Sequence, residues 1–151
     1  ISHGMWALQN HPDQQALWRS DFDTHAVNAV EEIVRWATPV ISFRRTVTQD
    51  VRIGARDFTE GEKVVMYYNS ANRDEREFPD ADTFDVERKI VRHLGFGQGI
   101  HQCIGAPLAR LELKVALEQL LQRIPEWEAA GPHVRITKQN LRGLQHYPVS
   151  F

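Results

Sequence analysis

The single cysteine of the chain lies in a segment rich in glycine. Four of the eleven residues from 95 to 105 are glycine, and they surround Cys103. A backbone with so few side chains can lie close against a large flat group. A helix is predicted to begin just after Cys103, and its unpaired N–H groups and dipole favour the thiolate form of the sulfur over the thiol. The segment therefore predicts a thiolate that faces a planar ligand.

A lone thiolate of this kind is the natural axial ligand of a haem iron, where its electron donation favours cleavage of bound dioxygen. The porphyrin and oxygen supply the other ligands of the iron, so one cysteine is sufficient. A structural zinc site or an iron–sulfur cluster would need several ligating side chains. We therefore interpret Cys103 as the metal ligand of a haem site.

Other sites rich in glycine fit the segment less well. A dinucleotide-binding turn needs a third glycine where this chain has Ile100 or Gln102, and a phosphate-binding loop needs a Gly-Lys-Ser/Thr ending that is absent from this segment. A cysteine nucleophile with His93 or His101 as its base is one alternative. An inert buried cysteine is another. The glycines around the sulfur favour the haem ligand over both.

The overall composition excludes several classes of protein. The 18 Lys and Arg residues are balanced by 20 Asp and Glu residues, and the net charge of -2 provides no basic excess for binding nucleic acid. The apolar runs are a few residues long, whereas a membrane-spanning helix needs about 20. We expect no nucleic-acid partner and no membrane span. A single cysteine is typical of a reducing compartment, and we expect the cytoplasm.

The elements that position the cysteine can be predicted from periodicity and from proline and glycine positions. Apolar residues at helical spacing, with Pro12 and Pro107 in first turns and Pro39 as a stop, predict helices. Asp23 or Thr24 is expected to cap the third helix. The fold class is α+β and mainly α, in one domain over residues 1–151. The helices lie at about 1–10, 12–19, 24–38 and 106–124, with a small β-sheet within 40–68 and an irregular meander over 69–93.

The cysteine segment resembles the haem-binding loop of the cytochrome P450 monooxygenases. A second family motif, Glu-x-x-Arg, is formed upstream by Glu32 and Arg35. In the family this pair is buried and ties its helix to the meander, so the resemblance implies a structural role for both residues. The resemblance extends over all 151 residues and implies the C-terminal, haem b-binding part of a P450 fold. The loop residues on motif positions, expected to bind the cofactor, are Phe96, Gly97, Gly99, His101, Cys103 and Gly105.

The resemblance also assigns residues outside the loop. Arg44 stands where the family places an arginine on a haem propionate, although the adjacent Arg45 is an alternative. His101 stands where a second propionate partner is common, and charge-assisted hydrogen bonds to carboxylates suit both side chain types. Val40 and Ile41 are expected to lie over the distal haem face and to contact the substrate.

One position departs from the family pattern. Thr83 stands where the meander normally supplies an arginine to the Glu-Arg pair, and Arg88 is expected to compensate. Threonine at this position resembles a bacterial subgroup that acts on sterols and methyl-branched lipids. The segments 33–40 and 70–74 resemble the same subgroup, which indicates the class of substrate.

The first residues resemble the end of the long central helix of the family, just after the acid and alcohol pair that delivers protons. We therefore expect the chain to be truncated on its N-terminal side. The proton-delivery residues and most of the substrate pocket would then be missing, and the 151 residues alone would not turn over substrate.

The resemblance implies that the complete enzyme inserts one oxygen atom from O2 into a C–H bond of a small hydrophobic substrate. A ferredoxin or reductase would supply the electrons. The basic residues Arg88, Lys89, Arg92 and Arg110 are expected on the proximal surface, where they would attract an acidic electron donor. The alternatives are a haem-thiolate binding or sensing module without oxygenase chemistry and an inactive fragment.

Overall fold

The structure is a computed structural model that describes residues 1–89, 92–124, 126–137 and 140–151. It is mainly α-helical with short β-ladders, as predicted. The helices are α1 (Ser2–Asn10), α2 (Pro12–Ser20), α3 (Phe22–Ala37), α4 (Tyr68–Ala71) and α5 (Ala106–Arg123), and a 3₁₀ turn covers Gly99–His101. The strands are β1 (Ser42–Thr46), β2 (Val51–Ile53), β3 (Arg56–Phe58), β4 (Lys63–Tyr67), β5 (Glu128–Ala129), β6 (Val134–Arg135), β7 (Leu144–His146) and β8 (Val149–Ser150).

The ends of α3 are defined by local side-chain chemistry. The predicted cap at Asp23 or Thr24 is wrong, because the carboxylate of Asp21 accepts hydrogen bonds from Thr24 N (3.2 Å) and from Thr24 Oγ1 (2.7 Å). At the other end Thr38 adopts a left-handed conformation with φ 38°, and Pro39 follows it. The helix therefore stops where the chain must turn toward β1.

The predicted small sheet within 40–68 is two separate two-stranded ladders. β1 pairs antiparallel with β4, and β2 pairs antiparallel with β3. Gly54 has φ 61° at the tip of the inner hairpin, a conformation that favours glycine. Two further ladders, β5 with β8 and β6 with β7, lie in the C-terminal segment. The β2–β3 hairpin is therefore inserted in the chain between the paired strands β1 and β4.

The core lies where α1, α2, α3 and α5 meet the meander. Leu8, Trp18, Ile33 and Leu117 come from the helices and are almost completely buried. The meander contributes Phe84 to the same cluster. This packing places the C-terminal half of α3 beside the cysteine loop and the start of α5. None of the helices within the described residues is both long enough and apolar enough to cross a membrane.

Candidate cofactor site

A cavity of about 920 Å³ lies between β1, the end of α3, the cysteine loop and α5. Its volume is near the upper end of the range for small-molecule and cofactor sites, roughly 300–1,000 Å³. Its lining includes Cys103. The other lining residues are Ile1, Val34, Pro39, Val40, Phe43, Arg45, Tyr68, Gly95, Phe96, Gly97, Ile100, His101, Gln102, Ile104, Ala109, Glu112 and Leu113.

Backbone hydrogen bonds close the cysteine loop. Cys103 N donates to Phe96 O at 2.8 Å, so the two ends of the loop lie side by side. Inside it, Gln102 N donates to Gly99 O at 3.0 Å and forms the 3₁₀ turn. The sulfur of Cys103 is a free, exposed thiol. The loop thus presents the sulfur at the wall of the cavity, directly before the N-terminus of α5.

Two glycines make this loop conformation accessible. Gly97 and Gly99 have φ values of 71° and 68°, a conformation that residues with a Cβ atom rarely adopt. A Cβ atom on Gly97 would also lie 3.3 Å from His101 O. Of the predicted cofactor-binding residues of the loop, Phe96, Gly97 and His101 line the cavity together with Cys103. Gly99 and Gly105 lie outside the lining.

Glu32 and Arg35 form a completely buried ion pair on α3. Arg35 Nε lies 2.6 Å from Glu32 Oε2, and Arg35 Nη2 lies 2.8 Å from Glu32 Oε1. The remaining N–H groups of Arg35 donate to the carbonyl oxygens of Asn72, Ala81 and Thr83 at 2.7, 2.8 and 3.2 Å. One guanidinium therefore holds three backbone positions of the meander.

Arg88 also contacts the buried pair and the meander. Its guanidinium donates to the carbonyl oxygens of Pro79, Asp80 and Thr83 and lies 3.4 Å from the carboxylate of Glu32. Thr83 takes part through its backbone oxygen. The buried carboxylate is therefore approached by two arginines, as the sequence predicted for Arg88.

A second ion-pair cluster, which sequence reasoning missed, surrounds Glu31. His93 Nε2 lies 2.7 Å from Glu31 Oε2, and Arg110 contacts both carboxylate oxygens, with Nη2 3.0 Å from Oε2. Burial raises the pKa of Glu31, but the hydrogen bonds of His93 and Arg110, together with the charge of the Arg110 guanidinium, outweigh it and lower the pKa to about 2. The only available signal was an acidic residue next to Glu32, which does not reveal partners so distant in sequence.

The sequence pattern that defines the cytochrome P450 family matches residues 26–138. This match covers most of the chain. The chain belongs to the cytochrome P450 family.

Three relatives match over the whole of this chain. A methyl-branched lipid omega-hydroxylase of Mycobacterium tuberculosis is 46% identical over 152 residues, covering 100% of this chain and 36% of the relative. A steroid C26-monooxygenase of Mycolicibacterium smegmatis is 40% identical, covering 100% and 35%. The solved structure of a Mycobacterium marinum cytochrome P450 in complex with pseudoionone has a TM-score of 0.95 and 43% identity, covering 100% and 36%. The chain thus spans about a third of the length of these relatives.

The residues that line the cavity suit the flat, apolar ring of the haem that P450 proteins bind. Ile100 and Ile104, on either side of Cys103, are 98% and 100% exposed and line the cavity. Apolar side chains at a cavity wall are those that a bound apolar group would cover. With Cys103 at the same wall and cationic Arg45 on the β1 side, the donor set fits a haem and its carboxylates.

The two adjacent arginines of β1, Arg44 and its predicted alternative Arg45, differ in their position relative to the cavity. Arg45 and Phe43 line the cavity, whereas Arg44 lies on the opposite face of β1. Successive side chains of a strand point to opposite sides, so only one of two adjacent arginines can face the site. The guanidinium of Arg45 lies 5.7 Å from the centre of the Phe43 ring, at the edge of the cavity.

Of the two residues predicted to contact substrate, only Val40 is among the residues that line the cavity. Val40 lines the cavity, and it also forms an isolated bridge with Leu141. Ile41 lies outside the lining, and its N–H donates to Asn140 O at 3.0 Å. The prediction for Ile41 as a pocket residue is therefore not supported by its position. Its backbone instead joins β1 to the C-terminal segment.

The predicted proximal basic residues fall into two groups. Lys89 and Arg92 are exposed, whereas Arg88 and Arg110 are held by Glu32 and Glu31 respectively. An ion-paired arginine contributes less net positive potential to a surface than a free one. Lys89 and Arg92 thus contribute more to the positive potential of this surface.

Proposed function

We propose that residues 1–151 form the C-terminal, haem-binding part of a P450 monooxygenase. The protein would insert one oxygen atom from O2 into a C–H bond of a hydrophobic substrate, with electrons from a ferredoxin or reductase. The observation that carries the proposal is the place of Cys103, at the wall of a large cavity and just before a helix N-terminus. A haem b bound there would supply the electron transfer and oxygen activation that side chains alone do not provide.

Several residues of the site would then each have a role toward the haem. Cys103 would ligate the haem iron through its sulfur. Arg45 and His101 would bind the carboxylates of the porphyrin, because both can donate charge-assisted hydrogen bonds. Phe96, Ile100 and Leu113 would exclude water from the ring, and Val40 would contact the substrate.

The class of substrate is proposed from the relatives. The names of two of them state methyl-branched lipids and steroids, and the Thr83 pattern of the meander points to the same subgroup. In the intact, haem-loaded protein a methyl-branched fatty acid should bind more tightly than the straight-chain acid of equal length. Titration followed by the haem absorption spectrum measures both affinities. Equal affinities would contradict the substrate class and leave the haem site unaffected.

A cysteine variant tests the haem site directly. Cys103→Ser should remove the red-shifted absorption band of the reduced, carbon-monoxide-bound protein, because a serine hydroxyl is a poor electron donor to iron. Gln98→Ser places the same hydroxyl elsewhere in the loop, at an exposed position outside the cavity lining, and serves as the control; it should keep the band. An unchanged band in Cys103→Ser, or no such band in the unmodified protein, would refute the proposal.

The electron donor and the location are proposed from exposed charges and from the single cysteine. The exposed Lys89 and Arg92 suit an acidic protein such as a ferredoxin, whose association would weaken as salt is raised. A single free thiol is compatible with the cytoplasm, which we propose as the location.

A further inference from the structure

One carboxylate of α3 contacts both flanks of the cysteine loop. Glu31 binds His93, which lies before the loop, and Arg110, which lies in α5 after it. The side chain of Glu31 is 17% exposed and that of His93 is 2% exposed, so water competes little for the bond between them, whereas Arg110 is 37% exposed. The loop with Cys103 is therefore held between two partners of a single residue.

On the first flank the contact continues into the backbone. Gly95 N donates to His93 Nδ1 at 3.0 Å. Because Nδ1 accepts this bond, Nε2 carries the ring proton and donates it to Glu31. Gly95 itself lies so close to α3 that a Cβ atom would be 2.6 Å from Val34 Cγ1. The imidazole thus fixes the backbone just before Phe96.

On the second flank the contact passes through an aromatic ring. The guanidinium of Arg110 lies 4.6 Å from the centre of the Phe96 ring, a distance typical of a cation–π contact. The carbonyl oxygen of Phe96 accepts the hydrogen bond from Cys103 N. A shift of Arg110 would therefore move Phe96, and with it the residue that carries the sulfur.

We propose that Glu31 is a positioning residue for Cys103, which acts through His93 and Arg110 to hold the loop in the conformation that ligates haem iron. This inference rests on the proposed function, since it assigns a role toward the same haem. It goes beyond the Glu-x-x-Arg motif, because Glu31 contacts none of the meander carbonyls that Arg35 holds. Residues that orient a metal ligand typically contribute about 10–100-fold to metal affinity or activity.

The chain offers a matched control for Glu31. Lys114 Nζ lies 3.5 Å from Asp23 Oδ1, so this pair also joins α5 to α3. Asp23 lies at the N-terminal end of α3, and Lys114 lies one turn further along α5 than Arg110. Replacing Asp23 by Asn removes a salt bridge between the same two helices without altering the support of the loop.

The experiment compares Glu31→Gln with Asp23→Asn in the intact, haem-loaded protein. Glu31→Gln should lose haem to an excess of an acceptor apoprotein about tenfold faster, and a larger fraction of its reduced, carbon-monoxide-bound form should lack the red-shifted thiolate band. Asp23→Asn should match the unmodified protein in both measurements. Arg110→Lys, which keeps the charge but loses the forked contact, should fall between them.

Thermal unfolding separates positioning from a merely structural role. If Glu31→Gln unfolds at a lower temperature while its folded fraction keeps the normal band and rate of haem loss, the proposal is wrong. Equal behaviour of Glu31→Gln and Asp23→Asn would also overturn it. A changed band in protein that remains folded supports it.

A measurement without haem distinguishes failure of this inference from failure of the proposed function. In the haem-free protein, amide hydrogen exchange of residues 95–103 should be about tenfold faster in Glu31→Gln than in Asp23→Asn, since a buried charged hydrogen bond is lost. Unchanged exchange refutes the positioning role whatever the ligand is. Faster exchange in a protein whose unmodified form shows no thiolate band refutes the haem function alone.

Discussion

Glu31 and Glu32 are neighbours on α3, yet they hold different parts of the molecule. Glu32 is completely buried, pairs with Arg35 and Arg88, and accepts a hydrogen bond from Asp85 N at 3.0 Å. These contacts lie in the helix and the meander. Glu31 is partly buried, and within the described residues its side chain pairs with His93 and Arg110, on the two flanks of the cysteine loop.

The difference follows from the geometry of a helix. With 3.6 residues in each turn, adjacent side chains point about 100° apart, so they reach separate neighbours. A carboxylate that faces the core must be fully paired, because an unpaired buried charge is very costly. A carboxylate that is only partly buried keeps some contact with water and depends less on complete pairing. The same helix thus builds the fold with one carboxylate and supports the site with the next.

The largest effect is expected when the buried pair is broken. Arg35→Met should leave the charge of Glu32 without its main partner and should remove the Arg35 donor from Asn72 O and Ala81 O, whereas Thr83 O keeps its hydrogen bond from Arg88. Loss of one partner of a buried pair costs about 3–5 kcal/mol, a large share of the roughly 5–15 kcal/mol that stabilises a typical domain. The free energy of unfolding in urea measures the loss.

Arg35→Lys is the control for this experiment. It restores the positive charge but cannot form a forked contact to Glu32 and reach three carbonyls at once, so it should recover only part of the stability. If Arg35→Met were as stable as the unmodified protein, the contrast between the two glutamates would be lost.

A smaller effect, with a characteristic pH range, is expected from Glu31. Its pKa is about 2 in the folded protein against an ordinary value of 4.5. A carboxylate with a depressed pKa contributes stability that is fully present above pH 4.5 and is lost as the pH falls toward 2. Thermal unfolding of the unmodified protein and of Glu31→Gln should therefore differ most above pH 4.5 and converge toward pH 2. A constant difference across this range would contradict the assignment.

Arg88→Ala should cost less than the loss of Arg35. Glu32 keeps Arg35 as its partner, and water can reach the outer carbonyls that Arg88 leaves. Hydrogen bonds of a charged group contribute about 1.5–3 kcal/mol, and we expect a loss of about 1.5 kcal/mol in the free energy of unfolding. A loss as large as that of Arg35→Met would mean that Arg88 is an equal partner of the buried carboxylate.

The smallest effect is expected at an ion pair outside both clusters. Arg76 Nη2 lies 2.6 Å from Asp74 Oδ2, and the guanidinium is largely exposed. Exposed pairs contribute little, because solvent screens them and ordering two side chains costs entropy. Asp74→Asn should leave the melting temperature and haem retention unchanged. A clear drop in either would show that short distance alone, without burial, decides the strength of these pairs.

Local patterns predicted much of the fold and part of the site. The helices at 12–19 and 106–124 match α2 and α5 closely, because apolar spacing and proline positions act within one or two turns. The Glu32–Arg35 pair was predicted through its resemblance to the family motif, since two such residues three apart on a helix commonly form only a surface pair. The partners of Glu31 lie 62 and 79 positions away, and no local pattern relates them.

By itself the sequence determined which residues have the chemistry for the site: the one thiol, the glycines around it and the arginines near β1. The tertiary structure decided which of them meet. Arg45 faces the cavity and Arg44 does not, because the pairing of β1 with β4 sets which side of the strand looks inward. Glu31 became part of the site only when packing brought His93 and Arg110 to the same helix. Side-chain chemistry is a property of each residue, whereas proximity depends on the whole folded chain.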